Sequence, residues 1–302
     1  MPSPPAVTIL TPTYNRRALL ARLHDDLRAQ TSTDFEWVIV DDGSTDGTGD
    51  DVRAWAEDAG VSIRYIQQSN AGKHVALNRG VAEARGTYVL IVDSDDRCPP
   101  RAVDGFLQVW SSIPEAERDR FATVGALCQL PDGRLLGSRY PADVVDATTM
   151  AEHLRVRGTG ERCGMTRTAV LREMPFPVFP GERFLAEGLV WNRISARFRA
   201  RYVNQILQTK DFQTGGLTDS ILRIRVENPV GAMTFYRESA DLPVDTAHVI
   251  RALINYVRFG LHAGLSPLHL ARQAGRPWLC AVALLPGAVA HRVDRLLLAS
   301  RA

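Results

Sequence analysis

The strongest constraint in this sequence is a fourfold alternation in its first third. Short β-rich apolar runs at residues 7–10 (VTIL), 36–40 (EWVIV), 63–67 (IRYIQ) and 87–92 (TYVLIV) are separated by stretches with helical spacing. Leu19, Leu20, Leu23 and Leu27 share one face of the first such stretch. Asp46 or Thr48 could cap the second, which carries Val52 and Trp55, and residues 73–85 form the third. This order predicts an α/β fold with a mostly parallel sheet and helices on its faces. The near-continuous apolar strands fit burial on both sides. In such sheets ligands bind beyond the carboxyl ends of the strands. Those ends carry Thr13, Tyr14 and Asn15, then Asp41 and Asp42, then residues 70–73, then Asp93, Ser94, Asp95 and Asp96, so the polar clusters fall on one edge.

The rest of the chain is read more coarsely. Residues 1–110 form the first segment, 111–235 a less regular second and 236–302 a helical extension. In the second, 121–130 reads as a strand that 133–140 could pair with across a Pro131, Asp132, Gly133 turn. Residues 163–171 read as a strand entering a helix, 184–198 as a helix, 201–208 as a strand and 214–220 as a glycine-bearing loop. In the third, Val249, Leu253, Tyr256 and Val257 make one apolar face.

With 302 residues, 45% hydrophobic, the chain suffices for one large domain or two modest ones. A net charge of +2 offers no field for wholesale nucleic-acid binding. Lys73 and Lys210 are the only lysines, which suggests coding bias before function. Cys98, Cys128, Cys163 and Cys280 lack zinc-ligand spacing and read as free thiols in a reducing compartment. The N-terminus shows no basic and apolar leader pattern, so a cytoplasmic location is expected. The longest uncharged apolar run, 277–290, is shorter than the about 20 residues that span a bilayer.

The carboxylates at 93–96 carry the chemistry. Like charges about 4 Å apart repel by roughly 1 kcal/mol in water and about 4 kcal/mol at an effective dielectric of about 20. Three gathered at one strand end need a cation or a raised pKa. Hard oxygen ligands with open positions suit Mg²⁺ or Mn²⁺ shared with substrate phosphates. The plain alternative is a solvated loop whose Asp residues cap a turn before Pro99 and Pro100. Asp42 could accept hydrogen bonds from a base or ribose, or simply close a β-turn. Glycine-rich phosphate loops are missing, so the cation and basic side chains would hold phosphate, with Lys73 and Arg79 as candidates.

The stretches VTILTPTYNR, DFEWVIVDDGSTDGT and NAGKHVALNRGVAEARGTYVLIVDSDD together resemble the family 2 glycosyltransferases, which have the GT-A nucleotide-sugar fold. The resemblance is close over residues 7 to 110, looser to 235, and limited to a helical tail beyond. It implies a nucleotide-diphosphate sugar donor, most often UDP-linked, and Mg²⁺ or Mn²⁺ held by the D-x-D element 93–95. Asp95 would be the main metal ligand, with Asp93 facing metal or ribose and Ser94 beside the donor. Asp42 would contact the base beside Pro12 and Tyr14. The family inverts the anomeric centre by one displacement, which needs a carboxylate base in the second half of the domain. Glu187, read as mid-helix on a half-buried face, is the first candidate and Asp211 the runner-up. Gly188 stands where the family often has a second acid, so that match is incomplete. The stretch TGGLTDSILRIR looks like the mobile donor loop of such enzymes, with Gly215 and Gly216 supplying freedom and Arg223 or Arg225 reaching the diphosphate.

The expected acceptor is a glycan or a lipid-linked molecule in cell-envelope assembly, an analogy from the family. The apolar, arginine-flanked tail at 277–298 suits peripheral contact with the inner face of a membrane. Packing on the catalytic domain or on a second subunit is the alternative. Two other functions stay open: a nucleotidyltransferase making a nucleotide sugar, and a non-catalytic nucleotide-sugar-binding module.

Overall fold

A computed structural model describes residues 4–57, 60–157, 160–213 and 221–299. The chain forms two compact units, one of residues 1–175 with 192–213 and one of 176–191 with 214–302. These cuts differ from the sequence segments, because 176–191 joins the C-terminal helices.

The larger unit holds eight strands: β1 (Val7–Thr13), β2 (Phe35–Asp41), β3 (Ile63–Gln67), β4 (Tyr88–Ile91), β5 (Phe121–Gln129), β6 (Val144–Ala147), β7 (Arg162–Arg167) and β8 (Arg199–Thr209). They make one sheet in the order β3-β2-β1-β4-β7-β5-β8-β6. The first four run parallel, with Val7 opposite both Phe35 and Tyr88. β7 enters antiparallel between β4 and β5, and β8 runs parallel to β5. β1 and β2 are buried along their whole length, as expected of strands covered on both faces. The anticipated pairing of 133–140 with β5 shrinks to a tight turn with a bridge between Gln129 and Leu135. Both edges of β5 are already hydrogen-bonded, by β7 and β8.

Helices α1 (Arg17–Arg28), α2 (Thr48–Glu57), α3 (Lys73–Glu83), α4 (Ala102–Ser111), α5 (Met150–Arg157) and α6 (Thr168–Glu173) complete this unit, and the sequence boundary between units falls inside α7 (Gly188–Arg197). Leu20, Leu23 and Leu27 of α1 and Val103, Phe106 and Trp110 of α4 share a core with Ile9, Trp37, Leu90 and Val124. Each fully buried apolar side chain contributes about 1.5–3 kcal/mol. α3 packs against β1 and β2 from its own side.

At the edge opposite the polar clusters, buried Glu36 ties three strands. Its Oε1 accepts from Thr8 Oγ1 (2.8 Å) and Arg85 N (2.6 Å), while Gly86 N donates to Thr8 Oγ1 (2.9 Å). A Cβ on Gly86 would lie 2.4 Å from the Thr8 backbone nitrogen. That strut fixes how far β4 advances along β1, and so where 93–96 emerge.

The smaller unit holds α8 (Ile221–Glu227), α9 (Pro229–Ser239), α10 (Thr246–His262), α11 (Pro267–Gln273) and α12 (Pro277–Ala299). The expected face is its core: Val249, Leu253, Tyr256 and Val257 pack with Leu270, Cys280 and Ala283. Asp245 caps α10 by accepting from His248 N at 2.9 Å. α12 runs on through Pro286. Segment 176–191 belongs here because Glu182 caps α9, accepting from Val230 N (2.6 Å) and Gly231 N (2.7 Å). Asn228 Oδ1 accepts from Arg183 N (2.6 Å) and Phe184 N (3.0 Å). These ties delay α7 to residue 188, so the helix expected from 184 starts later, and Glu187 stands at its N-terminal boundary rather than mid-helix. The Glu187 carbonyl accepts from Val190 N (3.0 Å) and Trp191 N (3.2 Å).

Gly86→Ala should lower the urea-unfolding free energy by about 2 kcal/mol or more, because the added methyl meets backbone rather than a side chain that could move. An unchanged midpoint would contradict the strut.

Candidate active site

The site edge is assembled by turns that spend their polar groups on one another. Pro12 cannot donate, and the β1 and β4 register runs only to Leu10 opposite Ile91, with Val92 N donating to Leu10 O at 3.1 Å. The chain after β4 is therefore released from β1 as it reaches Asp93. Tyr14 follows, 49% exposed. Asn15 takes a left-handed φ of 51° and its Oδ1 accepts from Thr45 N at 2.8 Å.

Asp41 and Asp42 end β2. Asp41 accepts from Ser44 N (2.7 Å) and Tyr65 Oη (2.6 Å). Burial and that carboxylate push the Tyr65 phenol well above its ordinary value. Asp42 is buried and accepts from Gln68 Nε2, Ala71 N and Gly72 N, each at 2.8 Å. It thus holds the loop that leads into α3, with Gly72 at φ 99° as its last residue. His74 in the first turn of α3 is buried, and burial lowers its pKa against the pull of the Asp42 charge.

The carboxylates beyond β4 are compensated by the chain itself. Lys73 Nζ lies 2.7 Å from Asp93 Oδ1. Lys210, just past β8, places Nζ 4.0 Å from Asp93 Oδ2 and 2.5 Å from Asp96 Oδ2. Gln208 Nε2 donates to the same Asp96 oxygen at 3.1 Å. Arg16 pairs with Asp95. Three acids therefore meet three cations, two of them the only lysines in the chain. Burial opposes the Asp93 charge, but Lys73 and Lys210 overcome it and hold Asp93 down at about 2. Burial, with the Asp93 charge beside it, pushes Asp96 up to about 7 against the pull of Lys210. Burial would lower Lys210, but Asp93 and Asp96 raise it well above the ordinary lysine value. Asp93 and Lys210 thus stay charged near neutral pH, and Asp96 is the group whose proton is in play.

The donor chemistry fits a divalent cation. Asp93 and Asp95 present hard oxygens on side chains 28% and 23% exposed, and their partners Lys73 and Arg16 are part-exposed side chains that can swing away. Among the described residues no group of three or more acidic, His or Cys side chains is arranged to hold a metal. Two carboxylates with the shell completed by phosphate and water is the usual arrangement for Mg²⁺.

The remaining sequence candidates are placed as follows. Ser94 is buried within the cluster and Arg79 is exposed on α3. Asp211 accepts from Arg22 Nη2 at 2.6 Å, so the runner-up base is already ion-paired. Glu187, Arg223 and Arg225 belong to the smaller unit. Arg223 donates to Glu227 at 2.8 Å; Arg225 donates to Tyr236 Oη at 2.7 Å and lies over its ring. Gly215 and Gly216 lie outside the described residues. Sequence reasoning missed Arg16, Gln208 and Lys210. For Lys210 a signal existed, since a lysine kept amid arginines marks a place where a compact ammonium is wanted.

Comparisons with known proteins bear on this edge. Residues 8–116 match the family model Glycosyl transferase family 2. Glycosyltransferase GlyA of Streptococcus pneumoniae is 40% identical over 154 residues, 49% of this chain and 21% of that protein. The putative teichuronic acid biosynthesis glycosyltransferase TuaG of Bacillus subtilis is 36% identical over 94 residues, 31% of this chain and 37% of that one. The chain thus spans well under half of either relative. The crystal structure of Staphylococcus aureus TarS 1-349 has a TM-score of 0.62 at 16% identity, covering 98% of this chain and 92% of that one. The mannosyltransferase PcManGT of Pyrobaculum calidifontis, solved with GDP-Man and Mn²⁺, gives 0.56 at 19%, covering 96% and 88%. Residues 8–116 are thus similar to the family 2 glycosyltransferases, and the fold of the chain is GT-A.

Lys210→Met leaves Asp93 and Asp96 short of a buried partner and should cost about 3 kcal/mol of stability at pH 8. Asp96 has a folded pKa above its unfolded value of about 4, so the folded chain keeps that proton preferentially and acid relieves the variant. Urea unfolding should show the deficit shrinking from pH 8 to pH 5. An equal deficit at both would contradict the assignment.

Proposed function

We propose that the chain transfers a sugar from a UDP-sugar to a hydroxyl of a glycan or lipid-linked acceptor, with inversion, in cell-envelope polysaccharide or glycolipid assembly. The observation that carries this reading is the cation-balanced carboxylate cluster beyond β4, inside the segment that matches the family model. TarS has also been solved with UDP-GlcNAc, and TuaG's name places that relative in teichuronic acid biosynthesis; both support the reading by likeness.

Asp95 and Asp93 would hold Mg²⁺ or Mn²⁺, beside Ser94. When bound, the ion would supply Lewis-acid neutralisation of the departing diphosphate. Lys73 and Arg16, released from their carboxylates, would turn to phosphate oxygens as charge-assisted donors. Arg79, Arg223 and Arg225 are further candidates for the diphosphate. Asp42, besides fixing the loop before α3, would offer a remaining lone pair to the base, with Pro12 and Tyr14 lining its site. Glu187 would take the proton of the acceptor hydroxyl as that oxygen attacks the anomeric carbon and the bond to the diphosphate breaks. Asp211 is the second choice because Arg22 already occupies it. The reaction would run on the cytoplasmic side, where nucleotide sugars are made.

Two variants test this with a panel of donors. Asp95→Asn should lower kcat/KM by roughly 100-fold and remove the divalent dependence. Glu187→Gln should lower kcat by roughly 1000-fold and leave nucleotide affinity unchanged. Full activity in both would end the assignment, and release of pyrophosphate from a nucleoside triphosphate would favour a nucleotidyltransferase instead. A nucleotide screen by thermal shift should show stabilisation by UDP only when Mn²⁺ is present.

A further inference from the structure

α12 is apolar on two opposite sides. Cys280, Ala283 and Gly287 pack inward, Gly287 against Val257 and the Ile254 carbonyl of α10. Asp294 is inward too, wholly buried, taken by Arg258 and by His262 Nε2 at 3.1 Å. Trp278, Val282, Leu285, Val289, Val293 and Leu296 all point away from that seam and are 46–87% exposed. At about 100° per residue these six fall within an arc of about 80°, opposite the buried side. Single exposed apolar residues are ordinary, but a continuous stripe along most of a 23-residue helix is not.

What surrounds the stripe selects its partner. Arg272 of α11, Arg276 in the turn after it, and Arg292 and Arg295 of α12 are exposed. From residue 246 to 299 the sequence has no Glu and one Asp, Asp294, which is buried and paired with Arg258. A second copy laid on this face would set arginine rim against arginine rim. A bilayer with anionic headgroups complements both the stripe and the rim. Trp278 at the start of the helix suits the headgroup level, where a large ring with one polar edge is best placed. No described helix is long and apolar enough to cross a membrane, so the helix would lie along the surface.

We infer that the outer face of α12 docks the chain onto an anionic phospholipid surface, with the six apolar side chains entering the interface and the arginines meeting the headgroups. This does not rest on the proposed sugar transfer, and its failure would leave that reading standing.

The test is co-sedimentation of the full chain with vesicles of phosphatidylcholine alone or with about one-third phosphatidylglycerol. The wild-type chain should partition roughly tenfold more strongly to the anionic vesicles, less so at high salt. Leu285→Glu with Val289→Glu should abolish binding to both vesicle types while leaving the unfolding midpoint unchanged, since both sites are exposed. Arg292→Gln with Arg295→Gln should remove the anionic preference. Absence of vesicle binding, binding by the double glutamate variant equal to wild type, or a dimer in sedimentation velocity that the glutamates dissolve without any vesicle binding would each overturn the proposal.

Discussion

Carboxylates delivered together to the end of a buried strand repel one another unless cations stand between them, and much of this fold serves that need. Lys73 comes from the start of α3, Lys210 from the end of β8 and Arg16 from the turn after β1. Each sits at the carboxyl edge of the sheet because the strands or loops before it are in register. The pair of Asp96 with Lys210 links groups 114 residues apart, across the antiparallel insertion of β7 and the parallel return of β8. A cluster whose charges are compensated by the chain itself does not destabilise the fold. Asp93 and Asp95 remain part-exposed, so in the proposed function their side-chain cations would give way to a divalent ion and a diphosphate.

The opposite edge makes this arrangement repeatable. Glu36, Thr8 and Gly86 pin the entry of β4 to β1 and β2, and Pro12 ends the pairing at the other side. Between these two points the strand is only four residues long, so little slack remains in where Asp93 appears. The asymmetric pKa pattern follows. Two ammonium groups face Asp93, while Asp96 is more deeply enclosed and shares Lys210, so one carboxyl is held firmly ionised and the other retains its proton to near neutrality.

The parallel half was legible in the sequence because strands buried on both faces are mostly apolar, as Ile9, Leu10 and Trp37 to Val40 are, while the buried Thr8 and Glu36 satisfy each other. The carboxylate cluster was legible for the same reason: a polar run ending an apolar strand stands out. What local pattern could not carry was partnership. The insertion of β7 beside β4, the short β6 and the reach of Lys210 to Asp96 depend on contacts between distant segments. The two lysines carried a compositional hint that read as coding bias until the fold put both beside Asp93. The start of α7 was misplaced because Asn228, more than forty residues on, takes the N–H groups of Arg183 and Phe184.

The central claim is that Asp93 and Asp95 trade chain cations for a divalent ion and the donor's diphosphate. A crystal structure of the chain grown with Mn²⁺ and UDP tests it most directly, with the ion located by its anomalous signal. The account predicts manganese bound by Asp95 and Asp93, with Arg16 and Lys73 drawn onto phosphate oxygens. A nucleotide bound with both of those ion pairs intact and no manganese at the strand end would contradict it.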